Sequence, residues 1–346
     1  MVKFEVFHEL GVVTLARVTA LNALTKEMII SIYHTLLEWR DNPSIQVVLI
    51  RSESADVFCA GGDIRSVYEM RQQAIDAKIV FFETEYQLDA LLSDFPKPVI
   101  SLMNGITMGG GVGLAMHVAF PIAGEKMLFA MPETAIGFFP DVGGTALLNQ
   151  LPRAWQHYLG VFGQRLNAKQ LLHFKLVHSI IHSERWEAFI AELMVKKWGA
   201  FPFIEVEEMI QSHAQPLDYQ YSEPLPHFER LAATSFTELM VNVETSNEDP
   251  WLEFKDKIKK LSPLSMNVAF LQLEHGQNFN VKEALSFDFY LLQHFLELPE
   301  FYEGVRAMII DKDKNPNWTY TTWRNLDPKI ISAIFDFKGL RTLKLL

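Results

Sequence analysis

Residues 98–144 read PVISLMNGITMGGGVGLAMHVAFPIAGEKMLFAMPETAIGFFPDVGG. The apolar run 99–103 has the length and bulk of a buried strand. It passes through Asn104-Gly105 to Gly109-Gly110-Gly111, which open a helix-like segment over 112–117. A helix start carries unpaired N–H groups and the positive end of a dipole. Glycines there let a ligand approach the backbone with no Cβ in the way. Two carboxylates follow on loops rich in Gly and Pro: Glu133 after Pro132, and Asp141 after Pro140. Backbone donors aimed at an oxygen, with acids close by, are the parts that chemistry on a carbonyl needs.

Outward from this stretch, strand-like runs lie at 4–7, 12–16 and 46–51, separated by helical patterns. Thr25 reads as the N-cap of a helix whose Ile29, Ile32, Leu36 and Leu37 form one apolar stripe. Residues 79–92 read as a second helix. This alternation predicts an α/β layout with parallel pairing. After about residue 186 helical patterns dominate, over 253–260, 264–274, 281–296 and 300–310. Residues 214–226 hold three prolines and no period, and read as a loop. The expected organisation is an α/β core over 1–195 and a helical C-terminal region over 196–346.

The chain has 346 residues, of which 49% are hydrophobic and 21% charged, an ordinary globular balance with ample material for a core. Its net charge of -11 argues against a broad nucleic-acid surface. The single cysteine, Cys59, excludes an internal disulfide and suits a reducing compartment. No apolar window is long enough to cross a membrane. MVKFEVFHEL has neither a signal-type apolar run nor an Arg-rich start, and the final KLL is not a standard peroxisomal tripeptide. A cytoplasmic protein is the default expectation, with a processed organellar one equally compatible.

The residues leave alternatives open. A glycine cluster after a strand can be a tight turn and nothing more. Gly109-x-Gly111 also invites a dinucleotide-binding reading, although that motif normally sits in an early strand–turn–helix unit. His173, His178 and His182 match no metal-binding spacing, and no metal is expected. Cys59 has no neighbouring histidine to activate it, and His117 sits in an apolar segment, so both read as packed core residues.

Five phrases, in order, carry a resemblance across nearly the whole chain: LNALT (21–25), FCAGGDIR (58–65), ITMGGGVGL (106–114), MPETAIGFFPDVGG (131–144) and EGVRAMIIDKDKNPNW (303–318). Together they resemble the crotonase (enoyl-CoA hydratase/isomerase) superfamily, and within it the 3-hydroxyisobutyryl-CoA hydrolases. The resemblance implies a crotonase-like spiral of ββα turns. It also implies hydrolysis of a short β-hydroxyacyl-CoA in valine breakdown, with no cofactor beyond the CoA of the substrate. The N–H groups of Gly62 and Gly110 would form the oxyanion hole, with Gly61 beside them. Glu133 would be the main catalytic carboxylate, as general base or as nucleophile through a mixed anhydride. Asp141 would bind the substrate hydroxyl or orient water, and Glu85 would be a further acidic substrate contact. Ala20 would meet the adenine of CoA. The relatives' NRP reads Ala16-Arg17-Val18 here, keeping an arginine that suits a phosphate. Hydratases of the superfamily carry a first glutamate where this chain has Gly113, which favours hydrolysis over hydration. A non-catalytic CoA-binding protein is the third reading, opposed by the intact Glu133 and Asp141. Relatives form trimers or hexamers, and a homo-oligomer is open for this chain.

Overall fold

The structure is a computed structural model that describes residues 1–216 and 219–345. Among the described residues ten strands divide between two sheets. They are β1 (Val2–Phe7), β2 (Leu10–Leu15), β3 (Val47–Ser52), β4 (Val57–Cys59), β5 (Val99–Met103), β6 (Ile106–Met108), β7 (Phe120–Ala123), β8 (Leu128–Ala130), β9 (Arg165–Asn167) and β10 (Ser179–Ile180). The larger sheet runs β1-β2-β3-β5-β7-β10 and the smaller β4-β6-β8-β9. From β3 to β8 the chain alternates between the two. Each turn lays one strand on each sheet, and a helix follows β4 (Ile64–Glu69, then Ile75–Ser93) and β6 (Gly110–Met116). Pairing is parallel along β2-β3-β5-β7-β10 and along β4-β6-β8. This is the expected spiral of ββα turns. The β1–β2 hairpin and β8–β9 are the antiparallel exceptions.

Strand periodicity sorts the core. Leu10, Val12, Val47, Leu49, Ile100, Leu102, Phe120 and Ile122 face one side. There they meet Phe189, Ile190 and Leu193 of the helix Trp186–Val195, and Val206, Met209 and Ile210 of the helix Pro202–His213. Val13, Leu15, Val48, Ile50, Val99 and Met103 face the other side and join a core that extends to Phe295, Phe301 and Ile334. Each such side chain, fully buried, contributes roughly 1.5–3 kcal/mol. Thr25 caps the helix Lys26–Asp41, accepting the Met28 N–H at 3.3 Å, and Ile29, Ile32 and Leu36 are buried on its inner face.

The C-terminal helices follow the sequence pattern closely: Asp249–Ile258, Pro263–His275, Val281–Phe295 and Pro299–Val305. The last of these continues as a wider π turn over Arg306–Ile310. Residues 214–216 and 219–226 form no helix or strand, and Leu217 and Asp218 lie outside the described residues. Among the described residues, no helix is long and apolar enough to cross a membrane.

Candidate active site

The loop after β4 and the loop after β6 end side by side. A Cβ placed on Gly110 would stand 3.1 Å from the Gly62 nitrogen, and one on Gly61 would stand 3.7 Å from the Gly110 nitrogen. Among the described residues, neither the Gly62 nor the Gly110 amide finds an acceptor within the protein. Any side chain at 110 has to displace the Glu85 carboxyl, because its Cβ would lie 2.2 Å from Glu85 Oε1. Gly109 has φ +50, a left-handed value that glycine adopts without penalty.

These amides open onto a cavity of about 230 Å³. Gly61, Gly62, Glu85, Gly110, Glu133 and Asp141 all line it. That volume is below the usual range for a whole ligand, and suits a short acyl group rather than an entire CoA thioester. Phe82, Phe138, Met308 and Ile309 supply apolar wall, so the C-terminal region contributes directly.

Glu133 starts a tight turn, Glu133–Ile136, that ends at Gly137 with φ +69. A Cβ on Gly137 would lie 2.1 Å from the Glu300 carbonyl oxygen, so the helix Pro299–Val305 is seated directly against this turn. The following FFP segment is pinned by ring contacts. Phe138 lies 5.8 Å from Phe82, 5.6 Å from Phe295 and 5.3 Å from Phe301, and Phe139 lies 5.1 Å from Phe295. Asp141 emerges from that cluster, and its Oδ2 accepts the Tyr86 hydroxyl at 2.8 Å.

The carboxyl groups are buried with one another. Burial pushes Asp141 up to about 7, against the opposing pull of the Tyr86 hydroxyl. Burial, then the Asp141 charge, raises Glu85 and Glu133 well above the usual carboxylate range. Among the described residues, Glu85 Oε1 and Glu133 Oε2 have no hydrogen-bond partner, so each holds an unused polar atom in the site.

This arrangement agrees with what sequence comparison finds. Over residues 10–335 the sequence matches the enoyl-CoA hydratase/isomerase family. The chain belongs to that family. Among its relatives, the mitochondrial 3-hydroxyisobutyryl-CoA hydrolase of Danio rerio is 34% identical, over 99% of this chain and 91% of that protein. The Homo sapiens protein of the same name is 34% identical over 96% of this chain and 88% of its own length. Among solved structures, an enoyl-CoA hydratase from Rhodobacter sphaeroides superimposes with a TM-score of 0.86 at 29% identity, covering 99% of both chains.

Two expected CoA contacts stand outside the cavity wall of this enoyl-CoA hydratase/isomerase family member. Ala20 ends the half-exposed turn Val18–Ala20. Arg17 spends its guanidinium on the protein, donating to the Ala23 carbonyl at 2.8 Å and pairing with Asp63 at 2.9 Å. It thereby ties the 20–23 segment to the loop that carries Gly62. Cys59 is buried, its thiol pushed up to about 12 by burial, and it donates to the Asn22 carbonyl. It is no nucleophile.

Sequence reading overlooked Tyr86, Asp89, Gln272 and Asp288. Phe82, Glu85, Tyr86 and Asp89 fall on one stripe of the helix Ile75–Ser93, at the spacing where apolar residues are expected. Acids on a stripe that also buries Phe82 and Tyr86 were the available signal. Asp288 sits likewise among Ala284, Leu285, Phe289 and Leu292 on the buried side of Val281–Phe295.

Proposed function

We propose that this chain hydrolyses the thioester of a short β-hydroxyacyl-CoA, specifically 3-hydroxyisobutyryl-CoA to 3-hydroxyisobutyrate and CoA, in valine breakdown. The observation that carries the reading is the pair of unengaged amides, Gly62 and Gly110, opening onto one small cavity with Glu133 and Asp141. The names of the relatives at 34% identity support the substrate.

The thioester carbonyl oxygen sits between the two amides, which stabilise the negative charge that attack creates there. Glu133 takes a proton from water as water adds to the carbonyl carbon. A buried carboxylate that binds its proton tightly is a stronger base than one in solvent. The tetrahedral intermediate collapses, the C–S bond breaks, and the CoA thiolate leaves and takes up a proton. Asp141, oriented by Tyr86, holds the substrate hydroxyl. Glu85 lines the cavity beside Gly110 as a further contact for a substrate oxygen. Direct attack by Glu133, giving a mixed anhydride that water then opens, uses the same groups.

Hydration of an enoyl-CoA is the competing reading, and Gly113 opposes it. A Cβ there would lie 2.4 Å from Asp89 Oδ2, so a glutamate at the position that carries one in hydratases has to displace the Asp89 carboxyl. The test is a panel of 3-hydroxyisobutyryl-, 3-hydroxypropionyl-, 3-hydroxybutyryl- and crotonyl-CoA, following free thiol and enoyl absorbance together. Thiol release, fastest with the branched substrate and reduced at least about a hundredfold in Glu133→Gln, is the expected result. Enoyl loss without thiol release would overturn the proposal.

A further inference from the structure

The turn that presents Asp141 has an unfavourable backbone. Val142 has φ +52 and Gly143 has φ +71. Glycine tolerates that region, but a β-branched valine does not adopt it unless its surroundings impose it. Three contacts do so. The half-buried His117 donates from Nε2 to the Val142 carbonyl at 2.7 Å. The Gly143 N–H donates to Asp288 Oδ2 at 2.9 Å. Gln272 Nε2 donates to the Pro140 carbonyl at 2.7 Å and to Asp288 Oδ1 at 2.7 Å.

Pro140 and Gly143 stand on either side of Asp141-Val142. Both ends of the strained turn are thus tied to one linked pair of side chains, which come from two different C-terminal helices. Asp288 and Gln272 are both fully buried. Among the described residues no cation accompanies Asp288; both of its oxygens accept N–H groups instead. Packing alone would fill its place, between Leu285, Phe289 and Leu292, with another apolar residue, which would bury more favourably. What the buried acid adds there is the two N–H groups it accepts.

We infer that Asp288 and Gln272 are positioning residues that fix the Asp141 carboxylate relative to the Gly62 and Gly110 amides. The inference rests on the reading of Asp141 as a group acting in thioester hydrolysis. Neither side chain lines the cavity, so each acts through the turn. The C-terminal helices thereby clamp one wall of a site whose amides come from the N-terminal spiral. Asp288→Asn breaks the clamp because an amide offers one acceptor where two are needed. Its NH2 group must face either the Gly143 N–H or the Gln272 NH2.

The test uses the full chain with Asp288→Asn and Gln272→Met, each alone and combined with Asp141→Asn. Thiol release in the single variants is expected to lose roughly ten- to a hundredfold in kcat, with KM within about twofold, as befits a misplaced group rather than a lost binding contact. In the Asp141→Asn background the same changes should move kcat less than about twofold, because nothing remains to be positioned. Amide exchange at Val142 and Gly143 should quicken in both single variants while β5 and β7 stay protected. Additive losses on top of Asp141→Asn, or loss of protection throughout the sheet, would indicate a general structural role and overturn the inference. So would full activity or unchanged exchange at Gly143 in a folded variant. If Asp288→Asn does not fold, Gln272→Met carries every arm. Absence of thiol release by the unaltered chain would instead defeat the hydrolase reading itself.

Discussion

Replacing Asp141 by asparagine should make the fold more stable and the site less active, and the stability gain should depend on pH. In the folded chain burial holds the Asp141 carboxyl up to about 7, against an ordinary value of 3.8. An acid with a raised folded value binds more protons folded than unfolded between those two pH values. Stability therefore falls as pH rises from about 4 to about 7 and stays at the lower level above that. The span is about 3 pH units, and at about 1.4 kcal/mol per unit the ceiling is about 4 kcal/mol at pH 8. At pH 5 only about one unit has been crossed, and the penalty is about 2 kcal/mol. Asparagine cannot ionise, yet its Oδ1 can still accept the Tyr86 hydroxyl that Asp141 Oδ2 accepts at 2.8 Å. Removing the charge also relieves Glu85, Asp89, Glu133 and Asp288, each of which the Asp141 charge raises. Urea unfolding at pH 5 and pH 8, followed by tryptophan fluorescence, measures the effect. The expected gain is roughly 2–3 kcal/mol larger at pH 8 than at pH 5. An equal gain at both pH values, or a loss at pH 8, would refute the picture of a buried carboxylate held at the expense of the fold.

Two further substitutions probe the same frame. Gly110→Ala puts a Cβ 2.2 Å from Glu85 Oε1 and should displace one oxyanion donor, lowering kcat for thiol release by about 10²–10³ while circular dichroism stays unchanged; activity within about threefold of the unaltered chain would remove Gly110 from the hole. Gly113→Glu, which restores the residue type of the hydratases, should not confer hydration of crotonyl-CoA and should cost about 2 kcal/mol or more, because Asp89 occupies the space, with Oδ2 2.4 Å from the Cβ position; enoyl loss in that variant would mean that Asp89 yields.

What could be read from the sequence divides by range. β5 agrees residue for residue with the reading of 99–103, and β1, β2 and β3 agree within two residues, because runs of apolar and β-branched residues declare themselves locally. The three-residue strands β4, β6, β8 and β9 are too short to show a period, and so the second sheet was visible only through resemblance. Gly62, Gly110, Glu133 and Asp141 were legible because each stands in a short motif. Asp288 and Gln272 were not, since their partners Gly143 and Pro140 lie 145 and 132 residues away in the chain. Arg17 shows the same at shorter range. Its chemistry suits a phosphate, and the fold adds a partner the sequence did not show, Asp63, 46 positions on and 2.9 Å from the guanidinium.

Membership of the enoyl-CoA hydratase/isomerase family does not by itself choose between adding water to a double bond and adding it to a thioester carbonyl. Both reactions need the carbonyl oxygen held by two amides, which is why one frame serves a solved hydratase at 29% identity and hydrolases at 34%. They differ in where a proton must go. Hydration needs acid–base groups at the two carbons beyond the carbonyl, whereas hydrolysis needs one base beside the carbonyl carbon and a grip on the acyl tail. In this chain Asp89 fills the space beside Gly113 from behind and stays out of the cavity lining. Glu133 and Asp141 line the cavity, and the second is anchored through its turn by residues more than a hundred positions away. The wall that carries Asp141 is thus set by the C-terminal helices, as the wall that carries Gly62 and Gly110 is set by the glycine loops.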